Sequence, residues 1–554
     1  MKLAEYIARS LKHLGVDIIF TVSAESILPL LKSLIAEGVK IINARYEPSV
    51  GFMALVYSRI TRKPGIAVVT SGPGAFGVVS PVAMALVEGD PMIIIATVAL
   101  SNRGTAMHQL PDDYAQLEVF KPITKASFRI TRITDAREII EKSFNIALSN
   151  KPGPVYIEIP HQLLEEESEE SSYPVVNATK IYANTPDIKV VADLLSEANY
   201  PVIIAGRGIY LSGAEDLILK IAELLTAPIA TTVMSKGLIP SDHFLYAGVA
   251  AGRAGNRVAY EIIEKADVIL AIGNRFSEIG TGRYSLNIKG TLIHVNIDPR
   301  DLGRAYKPAI AILSDAKYFL SKLLEELNKR KIKSREYIIK ELKELWDLEN
   351  KELETYYSKT EGLIKPWEVI RAIRKIFDRR NTIFIGDVGA HRIESFLMPI
   401  YRGELYITTT SYVSMGLAVP GSVASSIVYP DRDVVGIVGD GGFLMTGLEV
   451  STAVQYNAKP KIVVFNDSAY RVLGVYEKVR YKSVTAEITR ISHVNFAELA
   501  KSLGAEGLRI SERSELESAL REALDSDRPS VIDVFIDPSS VPIPFQRLYK
   551  ISSL

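Results

Sequence analysis

Strand-length apolar runs recur along this chain with helix-length segments between them, and no other feature restricts its fold as much. "PMIIIATVAL" (Pro91–Leu100), "GPVYIEIP" (Gly153–Pro160), "PVIIAGRGI" (Pro201–Ile209) and "PKIVVFN" (Pro460–Asn466) are examples. Strands apolar on both faces belong in parallel sheets, and parallel neighbours need crossover helices. The alternation therefore predicts an α/β protein built on parallel sheets. At 554 residues the chain is too long for one core, and roughly three domains are expected. The most apolar run, Pro91–Leu100, is half the length of a bilayer-spanning helix and reads as a buried strand.

The first block ends after Gly153–Pro160, where the charged run "EEESEESS" (Glu165–Ser172) reads as a linker. A second block runs from Pro201 to about Leu327. The Lys/Glu-rich helical stretch from Asn328 to Thr360 is expected to be a solvated connector, and a third block begins around Pro366. Blocks one and three are candidates for related α/β units. Lys plus Arg and Asp plus Glu are both 65, so no global field favours nucleic acid or an anionic membrane, and a small-molecule partner is expected. The absence of cysteine excludes disulfides, thiolate metal sites and a cysteine nucleophile. With no signal-peptide pattern at the N-terminus, this fits a cytoplasmic protein.

One stretch carries chemistry: "GIVGDGGFLMTGLEVSTAVQYNAKPKIVVFNDSAY", Gly436–Tyr470. An apolar strand, a helical spacing and a second apolar strand make it a βαβ unit. Asp440 and Asp467 then fall at the carboxyl ends of two parallel strands, where open sheets bind ligands. Gly439, Gly441 and Gly442 let the backbone approach a phosphate. Mg²⁺ prefers one or two carboxylates together with phosphate oxygens, which two acids beside such a cradle supply. Taken alone, a Gly-Asp-Gly also suits plain turn residues.

Gly-Asp-Gly, about 25 residues, then Asn-Asn or Asn-Asp resembles the signature of thiamine-diphosphate enzymes. The resemblance implies Asp440, Asp467 and the main-chain carbonyl of Ala469 as Mg²⁺ ligands, with Gly441, Gly442 and Tyr470 beside the cofactor. Asp467 stands where Asn is common. "RYEPSV", "RKPG" and "TSGPGA" within Ile41–Ala75 resemble the pyrimidine-binding region of the acetolactate synthase group, so Glu47 takes the place of the catalytic glutamate. A carboxylic acid there hydrogen-bonds the cofactor's pyrimidine and favours the imino form that removes its own C2 proton. Glu47 stands where a strand-like segment ends, and Pro48 suits the first helical position after it. "IGDVGAHRI" (Ile385–Ile393) resembles the diphosphate-contacting loop, giving Gly389, Ala390 and His391. "TTSYVSMGLAVPGS" (Thr409–Ser422) resembles the segment whose methionine, here Met415, wedges between the cofactor rings, with the Val413 carbonyl receiving the 4′-amino group. Without that register Met415 would read as core and His391 as a surface histidine.

The resemblance covers nearly the whole chain. It implies three doubly wound parallel-sheet domains: pyrimidine-binding (1–165), central and nucleotide-binding-like (185–327), and diphosphate- and Mg²⁺-binding (366–540). The central domain of such proteins holds FAD in some and ADP in others. The active unit is expected to be a homodimer or dimer of dimers, with each site shared between two chains. The implied activity is decarboxylation of a 2-oxo acid with release or carboligation of the product. Acetolactate synthases carry Phe-Asp-Asp-Arg in the central domain, the arginine holding a second 2-oxo acid. Here Phe276, Ser277, Glu278 and Ile279 stand instead, and Arg253, Arg275, Arg471 and Arg480 are candidate replacements. The family's tryptophan after the metal motif is absent as well. A 2-hydroxyacyl-CoA lyase or oxalyl-CoA decarboxylase type enzyme is the alternative reading, and a non-catalytic regulatory homologue a third.

Overall fold

The structure is a computed structural model describing residues 1–99, 107–110, 112–167, 172–378 and 381–550. Leu100 and residues 168–171 of the expected linker lie outside the described residues. Three six-stranded sheets are present, every pairing in them parallel. The first contains β1 (Ile18–Thr21), β2 (Lys40–Asn43), β3 (Gly65–Val69), β4 (Met92–Val98), β5 (Ala126–Arg129) and β6 (Pro154–Pro160). The second contains β7 (Pro201–Ala205), β8 (Ile229–Thr231), β9 (Tyr246–Val249), β10 (Val268–Ile272), β11 (Thr291–Asn296) and β12 (Ile310–Leu313). The third contains β13 (Ile383–Gly386), β14 (Leu405–Ile407), β15 (Val434–Gly439), β16 (Lys461–Asn466), β17 (Glu506–Ile510) and β18 (Ser530–Phe535).

Strand order is β2-β1-β3-β4-β6-β5 in the first sheet and β14-β13-β15-β16-β18-β17 in the third. Relabelled by position in their blocks, these are one order, so the two terminal units share a fold. The central sheet runs β12-β11-β10-β7-β8-β9. The central strands of each sheet are buried throughout, as their unbroken apolar runs require.

The terminal units also share a core. The helix Glu47–Thr61 packs on its counterpart Ala418–Val428, and Val50, Val56, Leu417 and Val423 belong to one buried cluster. A Cβ on Gly421 would sit 2.8 Å from Val56 Cγ2, so glycine sets how closely these helices approach. Two polar contacts flank them: the Arg45 backbone N–H donates to Glu449 at 3.0 Å, and Ser80 Oγ meets Ser414 Oγ at 2.9 Å. Each joins the segment before one of the paired helices to the other unit.

The connector expected to be solvated is a packed helix, Glu336–Tyr357. Ile338, Leu342 and Tyr356 are buried on it, and buried Glu349 accepts hydrogen bonds from Asn256 Nδ2 and Arg547 Nη1. Its Lys/Glu richness describes only the outer face; four residues, Ile338, Leu342, Glu349 and Tyr356, are buried on the inner one. Among the described residues no helix is long and apolar enough to cross a membrane.

Candidate active site

In the third sheet β14 and β13 extend one way and β15 and β16 the other, so the crevice beyond β13 and β15 is a topological switch point. Three adjacent strands deliver their following residues there. Asp387–His391 follow β13, Asp440 follows β15 and Asp467 follows β16. Register alone therefore brings together residues distant in sequence.

Asp440 is 4% exposed. Its Oδ1 accepts from the Gly441 N–H at 2.7 Å, and its Oδ2 accepts from the N–H groups of Asp467 at 3.3 Å and Ala469 at 3.1 Å. Burial nevertheless raises its carboxyl above the ordinary value, against these amides. Burial also raises Asp467, and the neighbouring Asp440 adds to the effect; the Arg471 guanidinium opposes them, leaving the carboxyl at about 6. The Asp467–Arg471 ion pair is 2.5 Å long. Two buried acids side by side, of which only Asp467 pairs with a guanidinium, form a place short of positive charge.

Two glycines here make room. A Cβ on Gly441 would meet the Tyr470 ring at 2.6 Å, and one on Gly389 would meet the His391 ring at 2.2 Å. His391 is buried rather than at the surface, and burial lowers its imidazole to about 3, so it is neutral. Its Nε2 has no hydrogen-bond partner among the described residues. Ala390 is buried beside it, and Gly442 lies under Asp387 and Val438. Backbone amides, a neutral imidazole with an open nitrogen and buried acids together suit a Mg²⁺-bound diphosphate.

Val413 and half-buried Met415 lie on the loop entering the helix Ala418–Val428. Sequence reasoning missed what holds this loop. Fully buried Asp387 accepts from the N–H groups of Gly416 at 3.0 Å and Ala418 at 3.0 Å. From the first unit, Glu88 Oε1 accepts from Thr409 Oγ1 at 2.5 Å and from the N–H groups of Thr410 and Ser411 at 2.9 Å each. Glu88 and Asp90 are paired with buried Arg59, which also donates to the Thr408 carbonyl at 2.6 Å. Arg207 of the central unit reaches the same Asp90. The acids of "VEGDP" (Val87–Pro91) belong to no motif of their own, and their partners are visible only in three dimensions.

Glu47 opens the helix Glu47–Thr61, with Pro48 second rather than first. The one-residue difference is within the ordinary fraying of a helix start. Glu47 is half-buried, its Cβ facing Gly77, where any added Cβ would lie 2.5 Å away. It lies beyond β2 on a different sheet from Asp440 and Asp467, and among the described residues no hydrogen bond or ion pair joins it to them.

The short helix Ala390–Glu394 that carries His391 ends in Glu394, 3% exposed, with Oε1 unpartnered among the described residues. Burial pushes this carboxyl up to about 8, despite the Ile543 N–H and the charge of Arg547.

The central sheet has its own switch point between β7 and β10. A cavity of about 110 Å³ opens there, lined by Gly208, Gly273, Asn274 and Asn296 from the strand ends, with Glu88 and Thr410 on its far wall.

The fold and this crevice define a thiamine pyrophosphate enzyme, and family models agree along the chain. The N-terminal TPP binding domain of thiamine pyrophosphate enzymes matches residues 1–117, the central domain 188–323 and the C-terminal TPP binding domain 387–534. Full-length relatives narrow this. A "Probable acetolactate synthase large subunit" of Methanocaldococcus jannaschii is 30% identical over 97% of this chain and 92% of its own. The acetolactate synthase large subunit of Buchnera aphidicola is 31% identical over 98% and 96%, and the acetolactate synthase of Bacillus subtilis 27% over 97% and 93%. The chain belongs to the acetolactate-synthase-like family of thiamine-diphosphate-dependent carboligases and decarboxylases.

Proposed function

We propose that the protein removes CO₂ from a 2-oxo acid and either protonates the remaining acyl carbon or joins it to an acceptor carbonyl. The observation that supports this most is the meeting of Asp440, Asp467, the Ala469 main chain and the open nitrogen of His391 beyond three neighbouring strands. When bound, thiamine diphosphate supplies the nucleophilic carbon and the electron sink for breaking a bond next to a carbonyl. Asp440, Asp467 and the carbonyl of Ala469 would hold Mg²⁺ beside the diphosphate. Among the described residues no group of three or more acids or histidines forms, which suits an ion that takes its other ligands from phosphate and water. Gly389, Ala390 and His391, with Gly441, Gly442 and Tyr470, close around the diphosphate. Met415 would support the cofactor's rings, the Val413 carbonyl would accept from its amino group, and Glu47 would hold a proton at its pyrimidine nitrogen.

In this reading residues 1–165, 185–327 and 366–540 are the pyrimidine-binding, central and diphosphate-binding domains. In the same reading the site is shared between two chains of a homodimer or dimer of dimers, with Glu47 of one chain meeting the acid pair of the other. The reading extends to FAD in the central cavity on the strength of its strand-end glycines. At about 110 Å³ the cavity is narrower than the roughly 300–1,000 Å³ of a ligand pocket, so no step is assigned to a flavin. A yellow chromophore in purified protein is the test of that extension. For the main reading, a panel of 2-oxo acids and acyl-CoA esters is offered to protein loaded with thiamine diphosphate and Mg²⁺, and the products are identified. CO₂ from a 2-oxo acid supports it; turnover confined to acyl-CoA esters refutes it.

A further inference from the structure

A cavity of about 740 Å³ lies between the central unit, the connector helix Glu336–Tyr357 and the third unit. It falls within the roughly 300–1,000 Å³ of a small-molecule pocket, and junctions between units are where such pockets gather. Its walls are largely aromatic and aliphatic, with Tyr246, Trp346, Leu353, Tyr357, Trp367 and Phe396 among them. The Trp367 ring lies 5.0 Å from that of Tyr357. Trp346 lies 6.2 Å from the Tyr246 ring and donates its indole N–H to the Tyr246 carbonyl at 2.9 Å, so both indoles are held in place.

Two buried side chains on this wall each leave a polar atom open. Glu394, 3% exposed, takes the Ile543 N–H, and its Oε1 has no hydrogen-bond partner among the described residues. Arg374, 8% exposed, gives its terminal nitrogens to Glu404 at 2.9 and 2.8 Å, to Asp378 at 2.8 Å and to the Phe377 carbonyl at 3.1 Å, while its Nε has no partner among the described residues. Unmet buried polar atoms are costly and uncommon, and two of them lining one cavity mark where a ligand's own polar groups would sit. Neither asks for a charge. Burial pushes the Glu394 carboxyl up to about 8, so it holds its proton at neutral pH, and the charge of Arg374 is already met by Glu404 and Asp378.

We propose that this cavity is an effector site for an uncharged aromatic molecule, whose hydrogen-bond donor meets Glu394 Oε1 and whose acceptor meets Arg374 Nε. The five-residue helix Ala390–Glu394 carries Glu394 to this cavity and His391 to the candidate active site. A ligand that fixes one end of so short an element biases the other, and the coupling is reciprocal. Only this coupling rests on the proposed function, through the place of His391 beside the diphosphate.

The protein carries its own reporter. Trp346 and Trp367 are its two tryptophans, and both line the cavity. The probe is methyl 4-hydroxybenzoate, a phenol with an ester carbonyl, titrated at neutral pH into the full chain while tryptophan fluorescence is followed. The fluorescence should change saturably, and methyl benzoate, which lacks the hydroxyl, should bind about tenfold more weakly. Glu394→Met should lose about the same tenfold, whereas Glu394→Gln should keep binding. Bound probe should shift the affinity for thiamine diphosphate in the presence of Mg²⁺ by about fivefold or more, measured by calorimetry. No saturable change up to about 1 mM probe, or methyl benzoate bound as tightly, overturns the site. Tighter binding of 4-hydroxybenzoate overturns the uncharged class and gives the ligand to the exposed Arg371 and Lys343 on the same wall. Cofactor affinity that is the same with and without the probe overturns the effector role. A protein that binds the probe but no thiamine diphosphate keeps the cavity site and overturns the proposed function, together with the coupling that rests on it.

Discussion

Glu394 offers a sharp test of the electrostatics around the candidate site. Its carboxyl is buried beside Tyr356 and Tyr357 and raised to about 8 by that burial. In the unfolded chain it titrates near 4.3. Below about pH 4.3 both states hold the proton and the side chain contributes no pH dependence. Between that value and about 8 the unfolded chain ionises while the folded protein does not, so stability is lost as pH rises, by about 1.36 kcal/mol per pH. Integrated to pH 7 the loss is on the order of 3 kcal/mol. Above pH 8 both states are ionised and the loss levels off. Glu394→Gln keeps the shape and carries no titrating proton. Its stability relative to the unaltered protein should therefore rise steadily from pH 5 to pH 8, whatever its offset. If a unit of roughly 150–250 residues unfolds cooperatively, about 3 kcal/mol corresponds to roughly 6–12 °C in Tm. Calorimetry of both proteins at pH 5, 6, 7 and 8 measures the slope. A Tm of Glu394→Gln that stays constant relative to that of the unaltered protein across that range, or falls relative to it toward pH 8, refutes the argument.

Asp440→Ala should retain the fold and lose most affinity for thiamine diphosphate in the presence of Mg²⁺; unchanged affinity by calorimetry contradicts its role. Glu47→Gln should bind the cofactor normally yet slow hydrogen–deuterium exchange at the cofactor's C2 by orders of magnitude, and an undiminished rate removes Glu47 from the mechanism. Glu88→Ala strips a partner from buried Arg59 and an acceptor from two loop amides, so it should cost about 3–5 kcal/mol and speed amide exchange at Thr410 and Ser411; protection equal to that of the unaltered protein contradicts the bracing. Mixing inactive Glu47→Gln and Asp440→Ala chains should restore up to about half the activity per mixed dimer, because one of its two sites then carries neither lesion. Mixed dimers as inactive as either parent contradict the shared site.

The parts legible in the sequence were those fixed by local rules. Apolar runs of strand length gave the parallel sheets, and the Gly-Asp-Gly to Asn-Asp spacing gave two acids at neighbouring strand ends, because a βαβ unit leaves little choice of geometry. Asp387 and Glu88 escaped notice for the opposite reason. Each acts through backbone amides of the 408–418 loop, and amide partners leave no trace in side-chain identity. The helix Glu336–Tyr357 was misread because its charges outnumber the few residues that turn inward.

The first and third sheets repeat one strand order, and their facing helices bring the Arg45–Glu449 and Ser80–Ser414 contacts to corresponding places on the two copies. On the proposed assignment, a homodimer of a single such sheet would have to carry phosphate-binding glycines, metal-binding acids and a pyrimidine-facing glutamate in the same set of loops. Holding two copies in one chain removes that conflict. The loops of the third sheet can gather negative charge at Asp440 and Asp467 without placing acids opposite Glu47. The first sheet, in turn, can keep its corresponding strand end, Ser71 to Ala75, uncharged. Substitutions on one copy are not mirrored on the other, so the two ends of a bent cofactor can be fitted independently on scaffolds that still pack as a matched pair.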